Sequence, residues 1–434
     1  MTRPLPQPVR IYRVGGSVRD ELLQIPSGDD DWVVVGATPE IMIASGFTPV
    51  GKDFPVFLHP DTHDEYALAR TERKHGRGYR GFEFFATPDV TLEDDLRRRD
   101  LTINAMARAP DGALIDPHGG ADDLRAGILR HVSPAFAEDP LRVLRVARFA
   151  ARFGFEIADA TLEMMRDIVA AGELATLSPE RVWQELARGL AEKHPSRMLR
   201  ALRAVGALAA LLPEIDALYA TKHDGGDAGT LTERALDWAA QRRFVLPVRY
   251  ATLLQRLGET SASGAVATSS NRDGSAVVPI AAKRSTRTGV ARADTVSLRL
   301  KVPLECRDSA RVAARFVVDA ARAETLAPAR LLDIIVTTDA LRRSERLDWL
   351  IDSTCAYAAA EQHADCTATL LRDALAVIRN VDAAAIARDA ITRAAARKAP
   401  AAKAAVGDAI GTALRTARLA ALRRWRNARR AGTR

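Results

Sequence analysis

The sequence predicts an α+β protein, a mixed α/β domain at the N-terminal end followed by an all-helical remainder. Three observations predict it. From Ile11 to about Arg130, short apolar runs alternate with stretches of helical periodicity. From about Ala160 to the end, nearly every ordered stretch reads as helix instead. The glycine pairs, carboxylate clusters and arginine groups that suggest chemistry lie before that change.

In the first part the strand candidates are Asp31–Val35, 54–58, 65–69, Phe82–Phe85 and 113–115, and the helix candidates are 17–23, 39–45 and 102–107. The stretch Val14-Gly15-Gly16-Ser17-Val18-Arg19-Asp20 brings a glycine pair into a helix. Bare backbone N–H groups there suit phosphate oxygens, and no P-loop or dinucleotide fingerprint competes for that role. Asp29 and Asp31 open the hydrophobic run 32–35. At strand periodicity they point to one face roughly 7 Å apart, near enough to share two divalent ions about 3.5–4 Å apart, while Asp30 points the other way. A glycine pair alone is a turn, and three aspartates alone are a solvated strand start. In this order they point to a magnesium-dependent nucleotidyl-transfer site.

On the strand 65–69, Glu65, Ala67 and Ala69 share one face and Tyr66 and Leu68 the other. Glu65 is either a third carboxylate of the site or an edge-strand glutamate in water. His59 and His63 flank Pro60-Asp61-Thr62, a turn and not a metal-binding helix, and His75 falls in a Gly- and Arg-rich loop. The run Glu93-Asp94-Asp95-Leu96-Arg97-Arg98-Arg99-Asp100 supplies either triphosphate or ribose contacts, with Asp100 as N-cap and Arg99 turned toward the cleft, or a solvated face. The glycine-containing stretch 116–124 reads as a connector.

Near the end of the first part, Asp139 caps a helix that opens with Pro140. Arg142, Arg145, Arg148 and Arg152 form one stripe on it, opposite Leu144, Val146, Ala147, Ala150 and Ala151. Such a stripe is commonly a wet face. The entrance pair carries more information, because a carboxylate only accepts and a guanidinium only donates. The Watson–Crick edges of cytosine and adenine set an amino donor beside a ring-nitrogen acceptor, and those of uracil and guanine set a carbonyl beside an N–H. An Asp139/Arg142 pair therefore accepts C and A and leaves buried groups unpaired against U and G.

The helical remainder is segmented as 161–171, 179–192, 195–212, 232–242 and 247–257, then 306–323 and onward to a basic segment at 412–430. Between them, 259–294 is rich in small and polar residues and reads as a flexible insert. At 434 residues the chain holds several domains, and 47% hydrophobic with 27% charged residues is the balance of a soluble globular protein. No apolar run approaches the ~20 residues that cross a bilayer, and the opening residues lack the apolar stretch of a signal peptide. The expected location is cytoplasmic. Cys306, Cys355 and Cys366 are odd in number and in no metal-ligand spacing, and read as buried thiols. A net charge of +8 favours a polyanionic partner, and 5% aromatics argues against holding single strands by base stacking.

Together IYRVGGSVRD, DWVVVGATPE, GKDFPVFLHP, EYALARTERK, VTLEDDLRRRDLTINAMA, ILRHVSPAF and EDPLRVLRVARFAARFGF resemble the bacterial class II CCA-adding enzymes, the tRNA nucleotidyltransferases, of proteobacterial type. The resemblance is nearly ungapped from Ile11 to about Tyr219. It implies a polymerase-beta-like nucleotidyltransferase head (1–137), a helical neck carrying the nucleotide-template helix (138–220), a helical body (221–360) and a basic, tRNA-binding tail (361–434). It further implies addition of C, C and A to the tRNA 3′ end from CTP and ATP, repair of that end, Mg2+ as cofactor, and a monomer without membrane attachment. By matching position, Asp29 and Asp31 bind the metal and are catalytic with Glu65. Gly16, Arg19, Arg99, Arg145 and Arg148 hold the nucleotide, and Asp139 and Arg142 are the amino-acid template.

The second half departs from the pattern. Where many relatives carry a phosphohydrolase body with a His-Asp pair, this chain has Gln255 and Arg256, and Leu231 stands near the place of an upstream histidine. An amide and a guanidinium do not replace an imidazole and a carboxylate as metal ligands, so phosphohydrolase activity is expected to be absent. Two rival readings are a poly(A) polymerase of the same superfamily and a catalytically silent tRNA-binding protein.

Overall fold

The computed structural model describes all residues except 1–4, 7, 27, 29, 51–55, 75–81, 86, 224–225, 260–284, 363–365, 397–402 and 433–434. Asp29, His75 and most of the 259–294 insert therefore lie outside the described residues. The chain divides into two compact units, Met1–Pro213 and Glu214–Arg434.

The first unit is built on a seven-stranded mixed sheet. Its strands are β1 (Arg10–Val14), β2 (Asp31–Val35), β3 (Thr48–Val50), β4 (Val56–Leu58) and β5 (Glu65–Leu68), then β8 (Ala107–Arg108) and β9 (Leu114–Ile115), while β6 (Thr71–Lys74) and β7 (Phe82–Phe85) pair separately as a hairpin. The order is β3-β4-β5-β2-β1-β8-β9, with β2 and β5 parallel and the other neighbours antiparallel. The Trp32-Val33-Val34-Val35 run is a centre strand covered on both faces, as parallel pairing requires. Val34 joins Met42, Phe47, Phe57 and Leu68 on one side, and Val33 joins Val14, Ala69, Leu96 and Ala107 on the other.

Helices α1 (Gly16–Leu22), α2 (Pro39–Ala44), α3 (Leu92–Arg97) and α4 (Gly120–Ala126) connect and cover this sheet; α5 (Leu141–Phe153), α6 (Asp159–Ala170), α7 (Pro179–Ala191) and α8 (Pro195–Ala204) follow. The charged run at 92–97, for which the sequence offers phosphate contacts or a solvated face, forms helix α3. Thr91 and Asp94 form a reciprocal capping box, and Leu92 and Leu96 bury between the charges. The segment 102–107 is not a helix: only Thr102–Asn104 makes a single 3-10 turn. Asp100 does not cap it; one of its carboxylate oxygens accepts from the Leu101 N–H and the Asn104 side chain instead. The expected connector 116–124 becomes α4 from Gly120 on, its start held by Asp116 accepting from the Gly120 and Ala121 N–H groups. The segment 195–212 breaks at Gly206, whose φ of +77° ends one helix and opens Ala207–Leu211.

The second unit is helical among the described residues apart from a short strand pair, Lys222–His223 with Gly226–Asp227. Its core gathers Phe316, Leu331, Ile335, Leu347, Ile351, Leu371 and Leu422. Helix Thr286–Arg299 starts inside the segment read as a flexible insert. The basic end is one helix, Lys403–Gly432, docked through Leu422 and through Arg426, whose guanidinium donates to the Glu324 and Leu326 carbonyls. Arg415, Arg423, Arg424, Arg429 and Arg430 stay exposed on it.

Cysteine usage departs from expectation. Cys306 is a buried thiol, but Cys355 and Cys366 form a disulfide between helix Ser344–Ala360 and the segment after it, where their Cα atoms lie 5.2 Å apart. Spacing in sequence does not reveal that approach.

Gln255 and Arg256 are fully buried. Arg256 Nη1 donates to Glu259 at 3.2 Å and to Glu361 at 2.8 Å, and its guanidinium lies 4.1 Å from the centre of the Tyr357 ring. His223 Nε2 approaches Glu361 at 3.4 Å. Burial alone would lower the Arg256 pKa; the charges of Glu259, Tyr357 and Glu361 outweigh it and keep the guanidinium protonated.

Candidate active site

The strand that carries Asp31, the glycine turn after β1 and the first turn of α5 converge on one cleft of about 560 Å³ in the first unit. Among the described residues, nine arginines and three aspartates line it, an excess that suits a polyanion.

Gly15 turns the chain from β1 into α1 with φ +75° and ψ −127°, a conformation that L side chains rarely adopt. A Cβ on Gly15 would stand 2.6 Å from Arg99 Nη1, and one on Gly16 would stand 3.4 Å from Arg19 Nη2. The glycine pair thus leaves room for two guanidinium groups beside its backbone. Helix α1 has only seven residues, so positive charge at this turn comes mainly from arginine.

A connected network fixes those arginines. Arg19 is 3% exposed and forks onto Asp20 through Nε at 2.8 Å and Nη2 at 2.7 Å, while its Nη1 donates to the Asn104 side chain. Asp20 also accepts Arg152 at 2.9 Å, tying α1 to α5. Arg98 and Arg99 both reach buried Asp95, at 2.7 and 3.2 Å. Asp100 takes Arg145 through Nε and Nη2, both at 2.7 Å, and accepts Asn104 Nδ2 at 2.9 Å. Burial alone would raise the Asp100 carboxyl; the Arg145 charge, hydrogen bonds from Asn104 and Arg145, and the Arg142 charge override it and hold it far below the carboxylate range. In return, Asp100 raises the pKa of Arg145.

The arginine stripe of α5 is not a wet face. Arg142 and Arg148 are 8% and 7% exposed, and all four stripe residues line the cleft. Arg148 pairs with Glu185 of α7 at 2.6 Å and lies over the Phe149 ring at 4.4 Å. At the entrance, Asp139 Oδ1 accepts the Leu141 N–H at 3.1 Å, and Oδ2 accepts Arg181 of α7 at 2.9 Å. Arg142 donates from Nη1 to the Ala135 carbonyl at 2.7 Å and from Nη2 to the Arg98 carbonyl at 2.6 Å.

Asp31 lines the cleft, and in the β2–β5 pairing it stands opposite Glu65, so two carboxylates sit side by side on parallel strands. Glu65 is exposed and lies outside the cleft lining itself. This all-oxygen donor set fits a hard divalent cation. Among the described residues no cluster of three or more His, Cys, Asp or Glu could hold a metal, and Asp29 is outside them. His59 caps its own turn, its Nδ1 accepting the Asp61 and Thr62 N–H groups.

The structure thus brings Gly16, Arg19, Asp31, Arg99, Asp139, Arg142, Arg145 and Arg148 into one cleft. Sequence reasoning missed Arg70, Asn104 and Arg181 there, and Glu185 behind it. Asn104 and Arg181 act through partners 85 and 42 residues away, which no local pattern marks.

Residues 11–130 match the family model described as the Poly A polymerase head domain, and 154–219 match that described as a probable RNA and SrmB-binding site of polymerase A. The chain is 54% identical over 343 residues to the Multifunctional CCA protein of Nitrosomonas europaea, covering 78% of this chain and 80% of that protein. It is 51% identical over 397 residues to the Multifunctional CCA protein of Burkholderia multivorans, covering 88% and 93%. Among solved structures, the Bacillus stearothermophilus CCA-adding enzyme in complex with CTP aligns with a TM-score of 0.65 at 23% identity, over 98% of this chain and 95% of that one, a likeness of fold.

Proposed function

The chain belongs to the family of the multifunctional CCA proteins, and on that premise we propose how its residues divide the work. It is a tRNA nucleotidyltransferase that adds C, C and A to the tRNA 3′ end from CTP and ATP. The tRNA 3′-hydroxyl attacks the α-phosphate of the bound nucleotide, and the bond to pyrophosphate breaks.

Asp29 and Asp31 would hold the divalent metal of this class, which we read as Mg2+, with Glu65 beside Asp31 as a third catalytic carboxylate. When bound, the metal lowers the pKa of the attacking hydroxyl and neutralises charge on the leaving group. Gly16 leaves the backbone open to the phosphates beside Arg19. Arg99, Arg145 and Arg148 hold the nucleotide, and Asp100 keeps Arg145 charged and aimed. Asp139 and Arg142 read the base by its amino and ring-nitrogen pair. The exposed arginines of helix Lys403–Gly432 follow the phosphates of the tRNA. The enzyme works as a monomer in the cytoplasm; no helix among the described residues is long and apolar enough to cross a membrane.

The observation that carries this reading is that Asp31 and the Asp139/Arg142 pair line the same cleft. The body contributes no phosphohydrolase activity, because Arg256 fills its position with a buried cation bound to two glutamates. The test is incubation with tRNA lacking CCA. CTP alone is expected to add two residues and CTP with ATP to complete CCA; nickel or cobalt with a 2′,3′-cyclic nucleotide is expected to release no product. Long extension with ATP alone would indicate a poly(A) polymerase, and no extension with any nucleotide a silent binding protein.

A further inference from the structure

We propose that the helical unit carries an anion site of its own, a cleft of about 270 Å³ that takes a small phosphate monoester bearing an aromatic ring, such as a nucleoside 5′-monophosphate. The cleft forms where helices Thr286–Arg299, Leu304–Ala321 and Ser344–Ala360 meet the end of helix Pro328–Thr337. Trp349 in its wall stands roughly two turns and 12 Å from Tyr357 along helix Ser344–Ala360. The cleft is therefore separate from the Arg256 position.

The residue that calls for a ligand is Ser309. It is 7% exposed and lines the cleft, yet its Oγ has no hydrogen-bond partner among the described residues. A buried hydroxyl without a partner costs free energy that a bound acceptor would recover. Three arginines set the sign of that acceptor. Arg311 and Arg315 share one face of helix Leu304–Ala321 at a spacing where like charges repel, and Arg346 joins them from helix Ser344–Ala360. Among the described residues the lining sets one carboxylate against them, Asp308, which accepts Arg346 at 3.1 Å. The carboxylates that meet the other two lie outside the lining. Asp294 is 3.1 Å from Arg311; Asp333 is 3.8 Å from Arg315, beyond hydrogen-bond reach, and accepts Arg330 at 2.6 Å. Such partly exposed pairs are weak, so the guanidinium groups can turn to a phosphate dianion at little cost and gain charge-assisted bonds. Trp349, with Val290 and Val312, supplies an apolar wall for a ring. The volume falls just below the ~300 Å³ at which small-molecule clefts begin, which limits the ligand to about one ring system and one phosphate.

The experiment titrates AMP into the full chain by calorimetry, without tRNA, in wild type, in Arg311→Gln with Arg315→Gln, and in Ser309→Ala, with thermal unfolding of each. Wild type is expected to bind one equivalent of AMP more than the double variant, whatever the cleft of the first unit takes up, and inorganic phosphate should compete for that equivalent. In Ser309→Ala its affinity should fall about ten- to a hundredfold, the worth of a hydrogen bond to a charged group. Both arginines are exposed, so the double variant should keep the wild-type unfolding temperature; should it fail to fold, Arg315→Gln alone serves in its place. Equal AMP uptake in wild type and the double variant would overturn the proposal. So would a double variant that loses affinity for tRNA lacking CCA while its AMP uptake stays unchanged, since the arginines would then be contacts to the RNA backbone.

Discussion

Replacing Asp31 by asparagine is expected to abolish CTP and ATP incorporation while leaving the first unit folded. Asp31 is exposed at the start of β2 and contributes nothing to either hydrophobic layer of the sheet, so the change in stability should stay within about 0.5 kcal/mol. Asp31 lines the arginine-rich cleft and stands opposite Glu65 in the pairing of neighbouring parallel strands. Asparagine keeps the shape and removes the charge that a divalent ion needs. Loss of metal-assisted charge stabilisation is worth several kcal/mol, so kcat should fall about a thousandfold or more, with an unchanged unfolding temperature. Single-turnover addition of labelled CMP to truncated tRNA measures this, and an Asp31→Asn enzyme with near-normal rates would remove Asp31 from the chemistry.

The second large effect lies in the other unit and concerns stability. Arg256→Met keeps much of the side-chain volume but deletes a buried cation that donates to both Glu259 and Glu361. Glu259 is 4% exposed, so losing a charged donor weakens the compensation of a buried carboxylate. Breaking a buried pair by removing one partner costs about 3–5 kcal/mol. For a unit of this size each kcal/mol is worth roughly 2–4 °C, so the transition of the helical unit should fall by about 10 °C in calorimetry. Arg256→Met with Glu259→Leu should recover part of the loss, since apolar replacement of both partners also removes the buried carboxylate that the cation compensated. Equal unfolding temperatures in wild type and Arg256→Met would show that this cation is not what holds the glutamates in place.

Much of the first unit was legible because its signals are local. Strand periodicity put Asp31 on one face of β2 and Glu65 on one face of β5, and both faces agree with the two hydrophobic layers. Periodicity does not supply register, and it is the parallel pairing that sets Asp31 opposite Glu65. Helical spacing likewise grouped Arg142, Arg145, Arg148 and Arg152. That this stripe is turned inward depends on Glu185, Asp100 and Asp20, which lie far off in sequence.

The errors share that cause. Asp100 looked like a cap because Thr102 follows it with helical spacing, yet its carboxylate bonds Arg145 across 45 residues. The charges of the run at 92–97 hide the capping box and two buried leucines that make it a helix. The Cys355–Cys366 bridge required knowing that a helix end and the following segment approach to 5.2 Å. Gln255 and Arg256 announced a departure from the phosphohydrolase pattern, but that Arg256 would be enclosed by two glutamates and Tyr357 needed the packing of the helices.

The central claim is that protein groups in this cleft select C and A. Arg142 tests it most directly, because its two Nη atoms also bond the Ala135 and Arg98 carbonyls and a purely architectural role is a real competitor. The decisive measurement is the CTP-to-UTP ratio of kcat/KM for Arg142→Ala against wild type on tRNA lacking CCA. A site that pairs with a base and leaves buried groups unpaired against the wrong one discriminates by about 10⁴ or more, and the account predicts that this ratio collapses in Arg142→Ala. A variant that slows with both nucleotides equally and keeps the ratio would contradict it.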